Sequence, residues 1–221
     1  GLLKTFLLWA LNKKYSYNND FISFKKPPKF RTDEIALNYE QVEIIYNHDF
    51  TKNKRLEKVR DLFVFGCTTG MRFGNYSAIS KSDIDGNFIR VIDLKSKSKI
   101  LAIPLNSISK SILEKYDYNL PSITNQKMNE YIKEVFQELK FTDEIKKTMK
   151  YGDELVEMKS EFWERISSHT ARRSFITIMK NKRVPDKVIM SYTGHTSLEV
   201  FNAYYRPSEE DKVNYMNEVF K

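Results

Sequence analysis

The chain has 221 residues, 41% hydrophobic and 30% charged, which is enough apolar content for a real core and too much for a disordered tail. Thirty-seven Lys and Arg against 29 Asp and Glu leave a net charge of +8, which favours an anionic partner, nucleic acid first. One cysteine, Cys67, lies in an apolar run; it excludes an intrachain disulfide framework and a cysteine-built metal site.

Residues 2–13 are apolar on nearly every side and predict a helix that needs a partner surface. The uninterrupted apolar stretch within it, 6–11, is short for a secretory h-region, and no small-residue cleavage pattern follows. No run approaches the roughly 18 apolar residues of a membrane span. Asn and Asp break the helix over 15–20, and Lys25-Lys26-Pro27-Pro28-Lys29 reads as a basic, proline-stiffened linker. A domain boundary near Pro28 follows: 1–28 as the last helix and linker of a neighbouring domain, 29–221 as a second domain. With no initiating Met, the chain reads as a piece of a longer cytosolic protein.

A helix is expected over 38–48, opened by a capping box of Asn38 and Gln41. Over 55–69 the apolar residues Leu56, Val59, Leu62, Phe63 and Cys67 recur at helical spacing and predict a core helix. It ends at Gly70 with Arg72 just beyond, and a short helix is expected over 73–80. The clear β signal comes next: a strand and turn over 83–86, an alternating strand over 88–94, a polar turn at 95–98 and a return strand over 99–105. Helices are expected over 106–115 and 124–139, and a second hairpin from 142–150 and 153–161. The last quarter reads as helices over 169–182, 185–193, 197–204 and 208–220. The fold class is α+β, mainly α-helical, with a small three-stranded antiparallel sheet.

The chemistry concentrates in 167–205. Ser168 can cap the helix that follows, which puts His169 in its first turn and Arg172 one turn on, on the same face. A helix start offers free N–H groups and the positive dipole end, and arginine adds a planar fork suited to two phosphate oxygens. Gly194 suits the left-handed position after a helix, and Thr196 with Glu199 predicts a capping box for the next one. His195 then stands on a tight corner. Tyr204 follows with Tyr205 as its immediate rival. A phenol of pKa near 10 is a poor nucleophile unless cations or a base assist it. Each of these residues alone also has a plain structural reading.

Taken together, His169-Thr170-Ala171-Arg172, Gly194-His195 and Tyr204 resemble the C-terminal signature of the tyrosine recombinase (phage integrase) family. The separations are 26 residues between the histidines and nine from His195 to Tyr204. Upstream, Thr69-Gly70-Met71-Arg72 is similar to the family's Thr-Gly-Leu-Arg, and the hairpin ending Ile103-Pro104-Leu105 to the family's β-hairpin. The resemblance spans about 38–220 and implies the family's catalytic fold. It implies a catalytic set of Arg72, Lys95, His169, Arg172, His195 and Tyr204, with Lys97 and Lys99 as rivals of Lys95. Two departures stand out: Asn75 where an acidic residue is common, expected to loosen support for Arg72, and Thr193 in place of an apolar residue.

The resemblance further implies cleavage and rejoining of double-stranded DNA through a 3′-phosphotyrosyl link, with no cofactor and no metal. The partners would be DNA and further recombinase subunits in a DNA-bound tetramer, with no membrane and a monomeric fragment when alone. The setting would be the bacterial cytoplasm, at the nucleoid. The alternatives are strand relaxation of the type IB topoisomerase kind, a DNA-binding protein that kept the fold, and a helix-turn-helix regulator reading DNA through 185–204.

Overall fold

The computed structural model describes residues 2–25, 34–94, 99–152, 154–205, 207 and 209–220. Its elements follow the chain as α1 (Leu2–Asn12), α2 (Tyr39–Asn47), α3 (Lys54–Thr69), α4 (Phe73–Tyr76), β1 (Ile84–Asp85), β2 (Phe88–Ile92), β3 (Ile100–Pro104), α5 (Ser107–Lys115), α6 (Asn125–Glu138), β4 (Glu144–Tyr151), β5 (Glu154–Glu161), α7 (Ser168–Asn181), α8 (Asp186–Thr193), α9 (Leu198–Asn202) and α10 (Glu209–Val219). Backbone proximity divides them into two units, 1–32 with 148–156, and 33–147 with 157–221.

The first unit holds α1 and the tip of the β4–β5 hairpin. Trp9 packs against Phe6 and Tyr15, and Lys4 Nζ donates to the Ile22 and Phe24 carbonyls. Leu2, Leu3 and Phe6 remain exposed, as expected of an apolar helix without a partner surface of its own.

The second unit is built on α3. Leu56, Val59, Leu62, Phe63, Val64 and Phe65 are all buried, because α2, α5, α6 and α7 pack around the helix. The capping box of Asn38 and Gln41 opens α2 as the sequence predicts. Arg60 terminates that helix from α3. Its Nη1 donates to the carbonyls of Ile45, Tyr46 and His48, and its Nε donates to Asp61 Oδ1 at 2.6 Å. Asp61 also accepts from Lys115 Nζ at 2.6 Å and from the Tyr116 hydroxyl at 2.7 Å, so this buried charge is fully paired.

The three strands form an antiparallel sheet in the order β1-β2-β3, with Ile89 opposite Ile103 and Arg90 opposite Ala102. Ile89, Leu101 and Ile103 face the core while Phe88, Ile92 and Ile100 face out, the period of two that the sequence carries. The outgoing strand stops at Ile92, earlier than the alternation suggested. The second hairpin forms as β4 and β5.

Candidate active site

Helix α3 ends where Gly70 enters the left-handed region at φ +67°. Glycine is required there twice over: L side chains avoid that conformation, and a Cβ would lie 2.3 Å from Phe175 Cδ1. The turn keeps Met71 in the core and presents Arg72 just before α4. Helix α4 is a single turn and not the longer helix expected, since Ser77 already closes it with N–H bonds back to Phe73. Arg72 Nη1 donates to Asp93 Oδ1 at 2.7 Å, and the same oxygen accepts from Asn75 Nδ2 at 3.1 Å. Asp93 stands just past β2, 1% exposed, its own N–H bonded to the Lys99 carbonyl.

The start of α7 differs by one residue from expectation. Ser167 is the N-cap, with Thr170 Oγ1 accepting from the Ser167 N–H at 3.1 Å. Ser168 is instead tied sideways to α6, its N–H donating to Asn129 Oδ1 at 2.7 Å and its hydroxyl to Asn125 Oδ1 at 2.8 Å. His169 still falls in the first turn and Arg172 one turn later. Arg172 is 1% exposed. Its Nη1 donates to the Gly70 carbonyl at 2.9 Å and its Nη2 to the Thr193 carbonyl at 2.6 Å. Its Nε is buried with no hydrogen-bond partner among the described residues.

Helix α8 closes on Gly194 at φ +72°, where a Cβ would meet Leu101 Cδ2 of β3 at 3.1 Å. The corner turns His195 inward, 6% exposed, with both ring nitrogens 3.2–3.3 Å from Arg172 Nη2. Thr193 explains its own presence. Its hydroxyl donates to the Ile189 carbonyl at 2.9 Å, and its oxygen lies 2.9 Å from His195 Nδ1. With the hydroxyl proton engaged, that oxygen can only accept, so Nδ1 carries a proton. The residue after the corner also differs from expectation. Ser197 caps α9 by accepting from the Val200 N–H, and no Thr196 cap forms.

Helix α9 stops at Asn202, so Tyr204 lies beyond it in a turn whose N–H bonds the Phe201 carbonyl. That tighter i to i−3 bond ends the helix before the tyrosine. The Tyr204 ring centroid is 5.2 Å from that of His169 and 4.8 Å from that of His195, with Arg172 Cζ at 5.8 Å and Arg173 Cζ at 5.5 Å. Tyr205 points elsewhere. Its hydroxyl donates to Asn181 Oδ1 at 2.9 Å, and burial, then a hydrogen bond with Tyr215, raise its pKa above the ordinary phenol value.

Two cavities adjoin at Arg72. One of about 420 Å³ is lined by Arg72, Asn125, Asn129, Ser168, His169 and Arg172; the other, about 280 Å³, by Arg72, Asp93, Gly194, His195 and Ser197. Burial, then the charges of Arg173, Arg172 and Arg72, push the His169 imidazole down to about 4. Its ring is open to water at the groove wall, which tempers the shift, and it is neutral at pH 7. Burial and the Arg72 charge also lower Arg172, against the opposing pull of Tyr204 and Asp93; a guanidinium keeps its proton regardless. The cavity walls thus present cations and a neutral imidazole, and the Tyr204 ring packs against both histidines, a set suited to binding a phosphodiester and attacking it.

The structure therefore brings together Arg72, His169, Arg172, His195 and Tyr204. Lys95 and its rival Lys97 lie outside the described residues; Lys99 is described, its carbonyl bonded to Asp93. The sequence reading missed Asp93, Asn125 and Asn129. Asp93 had a signal, a lone carboxylate where an alternating strand meets its turn, but nothing local indicated the arginine 21 positions away.

The phage integrase family model matches residues 36–211. Tyrosine recombinase XerC of Rickettsia bellii (strain OSU 85-389) is 24% identical over 212 residues, 93% of this chain and 67% of the relative, so the chain spans about two thirds of that protein. Among solved structures, a lambda integrase dimer bound to a COC′ core site overlays with TM-score 0.62 at 16% identity, covering 90% of this chain and 68% of that one. A Tn1549 transposon integrase in complex with a circular intermediate DNA overlays with TM-score 0.63 at 15% identity, covering 98% and 76%. At such identities the overlays establish the fold. The match over 36–211 establishes descent: the chain belongs to the phage integrase family.

Proposed function

We propose that this chain is the catalytic domain of a site-specific DNA recombinase, cleaving and rejoining strands through a 3′-phosphotyrosyl intermediate. The observation that carries the reading is the placement of the Tyr204 ring between His169 and His195, beside Arg172. Tyr204 Oη attacks phosphorus and its proton passes to neutral His169. The bond from phosphorus to the 5′-oxygen breaks, and Lys95 supplies a proton to that oxygen. Arg72, Arg172 and His195 stabilise the added charge of the pentavalent state. Attack by another 5′-hydroxyl reverses the steps. One phosphodiester replaces another of similar energy, so the chemistry calls for no nucleotide or metal cofactor.

Residues 1–28 are the end of a core-binding domain and its linker, and 29–221 the catalytic domain. The partners are double-stranded DNA and further subunits in a DNA-bound tetramer, and the fragment alone is monomeric. The setting is the bacterial cytoplasm at the nucleoid; no described helix is long and apolar enough to cross a membrane.

The test is covalent capture on a nicked suicide substrate. The wild type forms an adduct, Tyr204→Phe forms none while still binding, and Tyr205→Phe captures like the wild type. Capture that persists in Tyr204→Phe and disappears in Tyr205→Phe would move the nucleophile by one residue. Capture that disappears in neither would remove the reading.

A further inference from the structure

We propose that Asp93, held in place by Asn75, is the carboxylate that positions Arg72 against the reacting phosphate. The acidic partner of this arginine then comes from the end of β2 and not from position 75. The inference rests on the functional reading above and identifies a positioning pair within its site.

Arg72 Nη1 donates to Asp93 Oδ1 at 2.7 Å, and only part of the arginine is enclosed: its side chain is 24% exposed against 2% for that of Asp93. The guanidinium is thus fixed at one nitrogen, and its open side lines both cavities of the groove. Asn75 works on the carboxylate. Its Nδ2 donates to Asp93 Oδ1 at 3.1 Å, and its Oδ1 accepts from the Leu94 N–H at 3.3 Å, so one amide spans the aspartate and the peptide after it. The Asp93 N–H, bonded to the Lys99 carbonyl at 2.8 Å, anchors the aspartate to the hairpin.

This geometry explains why an amide stands at position 75. A second carboxylate there would face Asp93 across a 3.1 Å contact, where two like charges cannot both ionise. An amide supplies the donor that a buried carboxylate requires. Asn75 therefore does not weaken the support of Arg72, as its identity alone suggested; it is the residue an aspartate at position 93 demands. Fixing one nitrogen of a partly exposed arginine selects the orientation in which the rest of the fork meets the phosphate. Misplacement of about 1 Å at a reacting centre costs on the order of 10²-fold in rate.

The experiment is single-turnover cleavage of the suicide substrate with the DNA Kd measured in parallel, on wild type, Tyr204→Phe, Asp93→Asn, Asn75→Asp and the reciprocal double variant Asn75→Asp/Asp93→Asn. Asp93→Asn and Asn75→Asp are each expected to slow adduct formation by about 10²-fold with Kd within about threefold. The double variant restores one carboxylate and one amide in exchanged places and should recover to within about tenfold of wild type. A structural role alone would not give a rate loss without a binding loss, nor recovery on exchange. Asp93→Asn cleaving at the wild-type rate, or a folded double variant no faster than Asp93→Asn, overturns the inference. If Asp93→Asn loses its fold by circular dichroism, the double variant decides. An adduct in wild type and none in Tyr204→Phe keeps the functional reading whatever the pair does; no adduct in wild type removes both.

Discussion

Arg172 and Gly70 lie 102 positions apart and meet in one hydrogen bond, from Nη1 to the carbonyl oxygen at 2.9 Å. The peptide that turns the chain toward Arg72 is thereby the peptide that fixes Arg172. Two arginines from distant segments are registered through a single residue, and that residue is held in the left-handed region against the Phe175 ring. Gly70→Ala must place a Cβ where Phe175 stands and adopt a positive φ. A loss of roughly 2–4 kcal/mol of unfolding free energy is expected, read by urea denaturation. A variant as stable as wild type would show that the turn relaxes freely.

Thr193 acts on His195 through one hydroxyl. Thr193→Val keeps the shape and leaves a buried Nδ1–H without its acceptor, a loss of about 1–3 kcal/mol for the group concerned. The expected outcome is adduct formation slowed by about tenfold with DNA affinity unchanged. Thr193→Ser keeps the hydroxyl and should cleave close to the wild-type rate.

His169 makes stability depend on pH. Its folded-state pKa is pushed below the ordinary 6.5, so just below that value the unfolded chain binds a proton more readily. The contribution is complete above pH 6.5 and lost as pH falls toward 4. Unfolding free energy measured by urea from pH 7 to 4 should decline, and His169→Gln should flatten the part of the slope near pH 5–6. An identical pH profile in both proteins would contradict the depressed value.

Charged pairs of this protein differ in worth by their burial. Asp61 is 1% exposed and accepts hydrogen bonds from Arg60, Lys115 and Tyr116, so Asp61→Ala strands a buried cation and should cost about 3–5 kcal/mol. The Arg90–Asp85 pair has side chains 50% and 66% exposed, and Arg90→Ala should cost less than about 1 kcal/mol. Chemical denaturation of the two variants side by side checks the ordering.

The core helix, the two hairpins and the Gly70 and Gly194 corners were legible in the sequence, because each rests on a period or on a φ that only glycine adopts freely. Helix ends were less so. Ser167 replaced Ser168 as a cap, and Ser197 replaced Thr196. Neighbouring hydroxyls are equivalent in sequence, and only the fold decides which one faces α6 or the helix start. The spacing likewise left Tyr204 and Tyr205 as rivals. The two side chains part company through a hydroxyl held by residues 181 and 215 for Tyr205 and a ring packed on the two histidines for Tyr204, none of these contacts local in sequence.

By itself, the sequence determined the mainly helical class and the position of the small sheet, and its spaced signature singled out the candidate site residues, since these depend on periodicity, on glycine and on spacing. The tertiary structure alone decided the partners. Asp93 as the counter-charge of Arg72, the Gly70 carbonyl as the stop for Arg172 and Thr193 as the acceptor for His195 are set by where distant segments pack. Hydrogen bonds act over about 3 Å of space, whatever the distance along the chain.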